Sequence, residues 1–301
     1  MGASAEDRWA RVGVDYEGWL SRQPLSANTK RAYRTRVSQY LEYLAATPVE
    51  YGNPLEDLHA RDYAVRDYKS YLKAVKKAKP SSVNLSLAAI DSFYLFLGMG
   101  RPEVRREELA QSAPRSLSAE EQKRFLRAVE RSPESRDRAI ALLLFYTGLR
   151  IGELCKLDVE DVALSARKGR VVVRSGKGDG YREVVLNSEV REALAGWLAE
   201  RKGWPGSEEK AALFLSRRGG RLSTRAVDLI VRKLGEEANL ERSLSAHALR
   251  HTCVTNLVRA GADLVLVAEI AGHKRLETTR RYSLPSETDR EAAMEGIRVE
   301  Y

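Results

Sequence analysis

Between Ser245 and Ser283 the chain sets hydrogen-bonding and charged side chains on segments whose spacing is that of buried helix, and any fold must give those groups partners. Leu249, Val254, Leu257 and Val258 recur at helical intervals, and a second apolar run extends from Leu264 to Ile270. Within this frame lie His247, Arg250, His273 and Tyr282. His247 and Arg250 are three residues apart, so on a helix they project from one face, and an arginine among apolar neighbours finds a carboxylate or a phosphate. Taken singly, each has a plainer reading: a satisfied histidine, a salt-bridge arginine, a core tyrosine. Their order and proximity argue for a shared site.

A phosphate partner agrees with the overall charge. The 301 residues carry 51 Lys and Arg against 42 Asp and Glu, a net charge of +9, which suits a polyanion better than an acidic ligand. The length suggests two domains, each able to bury a core. The two cysteines, Cys155 and Cys253, sit in apolar helical patterns and read as small buried hydrophobes rather than a disulfide or metal cluster, consistent with a reducing compartment. The N-terminus lacks the basic start and apolar core of a signal peptide, and no run approaches the roughly 20 apolar residues of a membrane span. A soluble, cytoplasmic protein with no membrane partner is expected.

Ser26-Ala27-Asn28-Thr29 supplies capping chemistry before a helix over 30–44, where Tyr33, Val37, Tyr40, Leu41 and Leu44 form one face. Lys30, Arg31 and Arg34 lie on the other. Further helices are expected over 60–74 and 81–97, and no strand is indicated. Lys73, Lys76 and Lys77 form a basic run that is either a solvated face or a set of phosphate contacts, as are Lys30, Arg31 and Arg34. From Gly98 to Pro114, glycines and prolines punctuate a polar run without apolar period, which reads as linker. The expected organisation is a helical domain over 1–107, a linker over 108–116, and a second domain with a C-terminal tail over 117–301.

Ser118-Ala119-Glu120-Glu121 is a capping box opening the second domain. A largely apolar helix over 136–146 follows and Gly148 ends it; Arg150 then starts a helix with Ile151, Leu154 and Leu157 facing inward, so the arginine is aimed into the domain, with a salt bridge to Glu153 as its plain role. Residues 170–174 and 182–186 are β-branched runs flanking Ser175-Gly176-Lys177-Gly178-Asp179-Gly180, a hairpin with Lys177 at its tip. Helices are expected over 188–202 and 224–239, with a strand-like 212–215 between them. The fold class is therefore mainly α with a small antiparallel sheet in the second domain, an α+β arrangement.

The set Thr147-Gly148-Leu149-Arg150-Ile151-Gly152-Glu153-Leu154, Gly176-Lys177-Gly178 with Arg182, His247-Ala248-Leu249-Arg250-His251-Thr252, Gly272-His273 and Tyr282 resembles, in order and spacing, the active site of the tyrosine recombinases, the phage-integrase and Xer-like family. The match spans about residues 115–285; the first hundred residues are more loosely similar to the family's helical core-binding domain. Asp179-Gly180-Tyr181 departs from the more basic hairpin of the family, and the tail beyond Tyr282 has no residue-by-residue match.

The resemblance implies site-specific recombination through a covalent 3′-phosphotyrosyl intermediate on double-stranded DNA with paired sites, a homotetramer on synapsed DNA, and no metal or other cofactor. Tyr282 is then the nucleophile, Arg150 and Arg250 clamp the non-bridging oxygens, Lys177 is the general acid to the 5′-oxygen, His247 accepts a proton or donates to the phosphate, and His273 donates to it. Glu153 is expected to orient Arg150 or His247. A type IB topoisomerase would share this chemistry, and a catalytically silent DNA-binding protein would share the fold. The tail, with Ala293, Met294 and Ile297 as a short apolar stripe, packs on its own domain or docks on a neighbour.

Overall fold

In the computed structural model two compact units divide the chain, Met1–Ala110 and Gln111–Tyr301. The structure describes residues 5–47, 52–109, 116–174, 181–273, 276–280 and 282, with the side chains of 5–8 and 10 excepted. Among these residues no helix is long and apolar enough to cross a membrane.

The first unit is built from α1 (Ala5–Ser21), α2 (Ala27–Ala46), α3 (Leu58–Ala74) and α4 (Pro80–Phe96). Local chemistry sets the helix starts. The Ser26 side chain accepts the Thr29 amide, Asp57 accepts that of Ala60, and Pro80 occupies the first turn, where a missing N–H costs nothing. The anticipated face of α2 is the one that packs: Val37, Tyr40, Leu41 and Leu44 are buried with Tyr16, Tyr68, Ile90, Phe93 and Tyr94. Burying so many tyrosines requires partners for their hydroxyls, and Tyr40 and Tyr94 meet at 2.8 Å in the core.

The linker reading of 98–114 needs correction where the chain is described. Residues 99–107 lie against α3 and α4, held by side chains that local sequence does not reveal. Arg61 donates to the Met99 carbonyl, Asp62 accepts the Glu103 amide at 3.1 Å, and Lys69 reaches the Arg105 carbonyl at 2.6 Å. Asn84 brackets Glu107 through both its backbone groups, and Arg106 bridges to Asp91 and the Asn84 carbonyl. A segment without apolar period is pinned here by polar contacts from distant residues.

In the second unit Ser118 and Glu121 form the expected capping box at the start of α5 (Ala119–Arg131). The central helix is α6 (Ser135–Thr147), whose Ala139, Ile140, Ala141, Leu143 and Leu144 are fully buried. After α7 (Ile151–Lys156) comes a three-stranded antiparallel sheet in the order β1 (Val162–Leu164), β2 (Gly169–Arg174), β3 (Tyr181–Val185). Val171 pairs with Val184 and Val173 with Arg182. The hairpin was legible; β1, at three residues, is too short to show alternation. Residues 212–215 form isolated bridges, Asp158 to Ala212 and Leu215 to Arg221, in place of a strand. Then follow α8 (Ser188–Arg201), α9 (Thr224–Glu237), α10 (Ala246–Arg259), α11 (Leu264–Ala271) and α12 (Leu276–Arg280). The architecture is mainly helical with one small sheet.

Candidate active site

The site forms where the chain breaks after α6 and α11 meet. α6 ends at Gly148, which adopts a left-handed conformation with φ of 60° and turns the chain so that Arg150 stands at the start of α7. A Cβ at Gly148 would come within 3.3 Å of Cys253 Sγ, so the turn also lets α10 approach closely. Glu153 then reaches back: Oε2 accepts the Arg150 amide at 2.8 Å and Oε1 its guanidinium at 2.8 Å. Arg150 is not interior, as the sequence pattern suggested; its side chain is 45% exposed, on the rim of the site.

Opposite stands the C-terminal end of α11, whose last carbonyls lack helical partners. Gly272 caps it in the left-handed region, and the carbonyls of residues 270–272 each receive a guanidinium. Arg182 Nε donates to Ile270 at 3.1 Å, Arg250 Nη2 to Ala271 at 2.6 Å, and Arg150 Nη2 to Gly272 at 2.8 Å. Cations at a helix C-terminus are favoured by the unpaired carbonyl charge. Arg250, only 3% exposed, spans the site, since its Nη1 donates to the Gly148 carbonyl. Arg182 completes the frame by forking onto both oxygens of Glu153, at 2.8 and 3.2 Å.

Three imidazoles and a phenol line the remaining side. His247 and His251 lie one turn apart on α10 with ring centres 4.1 Å apart. His251 Nδ1 hydrogen-bonds Tyr282 Oη. The Tyr282 ring stacks on His273 at 6.1 Å and 17°, and packs on the small cluster of Val254, Val267 and Ala271. His273 Nδ1 meets Thr279 Oγ1 at 2.8 Å, which ties the loop after α11 to α12.

The charges are lopsided: three guanidiniums share one carboxylate. Burial pushes the Glu153 carboxyl up, but hydrogen bonds from Arg182 and from the Arg150 amide and guanidinium outweigh it, and its pKa falls to about 2. Burial, followed by the fields of Arg250, Arg150 and Arg182, lowers His273 to about 4. His247 stands at the open edge yet is also lowered, by partial loss of water and then by Arg250 and Arg150. Arg250 itself drops to about 10 through burial and the neighbouring Arg150. His247 and His273, with lowered pKa values beside fixed cations, make a positively charged site able to donate hydrogen bonds to an anion. Among the described residues no group of three or more His, Cys, Asp or Glu is arranged to hold a metal ion.

The structure thus brings together Arg150, His247, Arg250, His273 and Tyr282, while Lys177 lies outside the described residues. In the first unit Lys30 donates to the Ser21 carbonyl, Arg34 pairs with Glu17 at 3.3 Å, and Arg31 is exposed. Lys73 is engaged by Glu107 at 3.0 Å, the Lys76 ammonium lies 5.6 Å from the Tyr71 ring centre, and Lys77 follows α3 with φ of 48°. Sequence reasoning gave no role to Arg182 or His251. A signal existed for each: Arg182 shares the inward face of its strand with Val184 and Leu186, and His251 falls one helical turn after His247.

Comparison with known proteins places this geometry. Residues 16–99 match the phage integrase N-terminal SAM-like domain and residues 115–288 match the phage integrase family. Tyrosine recombinase XerA of Thermococcus kodakarensis is 32% identical over 276 residues, covering 89% of each chain. TnP I resolvase of Bacillus thuringiensis is 29% identical over 293 residues, 94% of this chain and 99% of that one. Among solved structures, XerA recombinase superposes with a TM-score of 0.55 at 28% identity over 97% of this chain and 100% of that one. The XerH recombinase in a post-cleavage complex with a palindromic difH substrate shares the fold, with a TM-score of 0.77 at 19% identity over 98% and 97% of the chains. A family match over more than half the chain, with a relative above 30% identity along most of its length, settles the assignment: the chain belongs to the phage integrase family, the tyrosine recombinases.

Proposed function

We propose that this protein cuts and rejoins DNA at specific paired sites through a 3′-phosphotyrosyl intermediate, acting as a tetramer on two synapsed duplexes in the cytoplasm. The observation that carries the reading is that one site holds Arg150 and Arg250 on the carbonyls at the end of α11 and, on its remaining side, His247, His273 and Tyr282. In this reading a DNA phosphate occupies the uncompensated positive site. Arg150 and Arg250 each keep guanidinium hydrogens beyond those given to carbonyls and hold the non-bridging oxygens; His247 and His273 hydrogen-bond to the same phosphate. Tyr282 attacks phosphorus, the 5′-oxygen leaves with a proton from Lys177, and the aryl phosphate retains the energy for rejoining without ATP. Fixed guanidiniums supply the charge stabilisation that a divalent cation supplies elsewhere. The basic faces of both units, with Lys30, Arg31, Arg34, Lys73, Lys76 and Lys77 as candidates in the first, neutralise flanking phosphates.

The test is covalent capture on a nicked duplex carrying the protein's recombination site, in excess EDTA. Wild type should form a 3′-linked adduct with a free 5′-hydroxyl, while Tyr282→Phe should bind the duplex equally well and form none. Lys177→Ala should cleave slowly and recover on a substrate whose 5′-bridging oxygen is sulfur, a leaving group that needs no proton. A 5′-linked adduct, or one that survives Tyr282→Phe, would overturn the reading; relaxation of plasmids lacking a site would point to a topoisomerase.

A further inference from the structure

We propose that Arg182 is a positioning residue of the site: it fixes both anchors between which the Arg150 guanidinium is held and does not itself bind the phosphate, a role that rests on the recombinase reading above. Arg150 spans a gap, with Nη1 on Glu153 Oε1 at 2.8 Å and Nη2 on the Gly272 carbonyl at 2.8 Å. Arg182 reaches each side of that gap from β3. Its Nη2 donates to Glu153 Oε2 at 2.8 Å and its Nη1 to Oε1 at 3.2 Å, while its Nε donates to the Ile270 carbonyl at 3.1 Å, in the same last turn of α11 that Gly272 caps. Each oxygen of Glu153 therefore accepts once from each arginine, since the Arg150 amide takes Oε2 at 2.8 Å. A carboxylate filled in this way cannot turn without breaking bonds to both.

The two guanidiniums differ in how much they leave open. Nε, Nη1 and Nη2 of Arg182 are all engaged, and its side chain is 16% exposed against 45% for Arg150. The Arg182 fork also lies against the backbone of Gly272, where a Cβ would come within 2.7 Å of Nη1, 2.8 Å of Cζ and 3.1 Å of Nε. That contact needs glycine twice over, for the left-handed φ of 64° and for the missing Cβ. Strand register sets where the cation stands, because Arg182 pairs with Val173 in the sheet. From there one side chain ties the first turn of α7 to the last turn of α11. A lysine could not do the same: its ammonium is a point charge on a flexible stem, without the planar fork that meets two carboxylate oxygens and a carbonyl together. Loss of either anchor lets Arg150 swing, and misplacement of a reacting group by about 1 Å costs on the order of 10²-fold in rate.

The test uses the full chain on the nicked duplex and measures single-turnover adduct formation at saturating protein. Arg182→Lys, which keeps the charge, and Arg182→Gln, which removes it, should both cleave about 10²-fold more slowly than wild type. Duplex affinity should stay within about threefold, and the slope of log affinity on log salt should not change in Arg182→Gln, whereas a lost phosphate contact would flatten it by about 0.9. In a Glu153→Gln background Arg182→Lys should lose far less than it does alone, because one anchor is already weakened. Without DNA, the guanidinium NH signals of Arg150 in NMR spectra, kept distinct by two anchors in wild type, should broaden and merge in Arg182→Lys. If Arg182→Gln folds poorly, Arg182→Lys carries the cleavage and NMR measurements. Cleavage by Arg182→Lys within about threefold of wild type would overturn the proposal, since charge alone would then be the contribution of Arg182. So would a flattened salt slope in Arg182→Gln, losses that multiply in the double variant, or unchanged Arg150 signals. Absence of any wild-type adduct would remove the recombinase reading, a separate failure, because the NMR comparison decides whether Arg182 holds Arg150 without any DNA.

Discussion

Glu153→Gln isolates the contribution of the one carboxylate that three arginines surround. The substitution keeps shape and volume while removing the charge that accepts from the Arg150 amide, the Arg150 guanidinium and both arms of Arg182. A carboxyl whose pKa falls from 4.5 to about 2 gains about 3 kcal/mol for its ionised form, and partial solvent screening brings the expected contribution to about 2 kcal/mol. For a unit of this size that amounts to a loss of about 4 to 8 °C in melting temperature at neutral pH. The sign is fixed by linkage. A depressed carboxyl pKa gives stability that is fully present above about 4.5 and is lost as pH falls through about 2, because the unfolded chain binds the proton first. The gap between wild type and Glu153→Gln should therefore narrow as pH drops across that window. Thermal melts of both proteins followed by circular dichroism at several pH values check it, and equal melting temperatures at pH 7, or a gap unchanged between pH 5 and pH 2.5, would refute the argument.

Three further outcomes follow from the same geometry. Gly272→Ala places a Cβ 2.7 Å from Arg182 Nη1 on a backbone with φ of 64°, so it should cost about 1 to 3 kcal/mol in thermal unfolding and reduce adduct formation by displacing the arginine. Arg250→Lys loses the fork that reaches Gly148 and Ala271 together; cleavage should fall by about 10²-fold or more in the nicked-duplex assay, with duplex affinity by mobility shift changed much less. His273, held near 4 by burial and three cations, stays neutral while an unfolded histidine titrates at about 6.5, so stability should rise with pH between those values, and rise less in His273→Gln.

How much of this was visible in the chain depends on whether the deciding contact is local. The Ser118 capping box, the α2 face and the β2–β3 pairing rest on neighbours in sequence, and each formed as spacing predicts. The pairing of Arg150 with Glu153 was equally readable at three residues' separation. Arg182 was not, because its partners Glu153 and Ile270 lie 29 and 88 residues away. The same holds for residues 99–107, which look like linker until Asn84 and Lys69 are seen to grip their backbone. Motif order carried the site further than periodicity did, since it groups residues that no local rule connects.

The three arginines show why such distant contacts matter for reactivity. Each guanidinium gives some hydrogens to a carbonyl at the end of α6 or α11, and each carbonyl is one that the helix itself leaves unpaired. The forks are thereby held in place by the protein itself, so in the proposed role no reorganisation is needed when charge develops on phosphorus. Burial makes this costly for Arg250, whose pKa is drawn down to about 10, yet the group remains charged at neutral pH. In the reading proposed above, a DNA phosphate held by Arg150 and Arg250 relieves that cost, and relieves it most when the negative charge is greatest. A five-coordinate dianion carries more charge than the phosphodiester it comes from, so in that proposed role the frame would favour the transition state over the bound substrate.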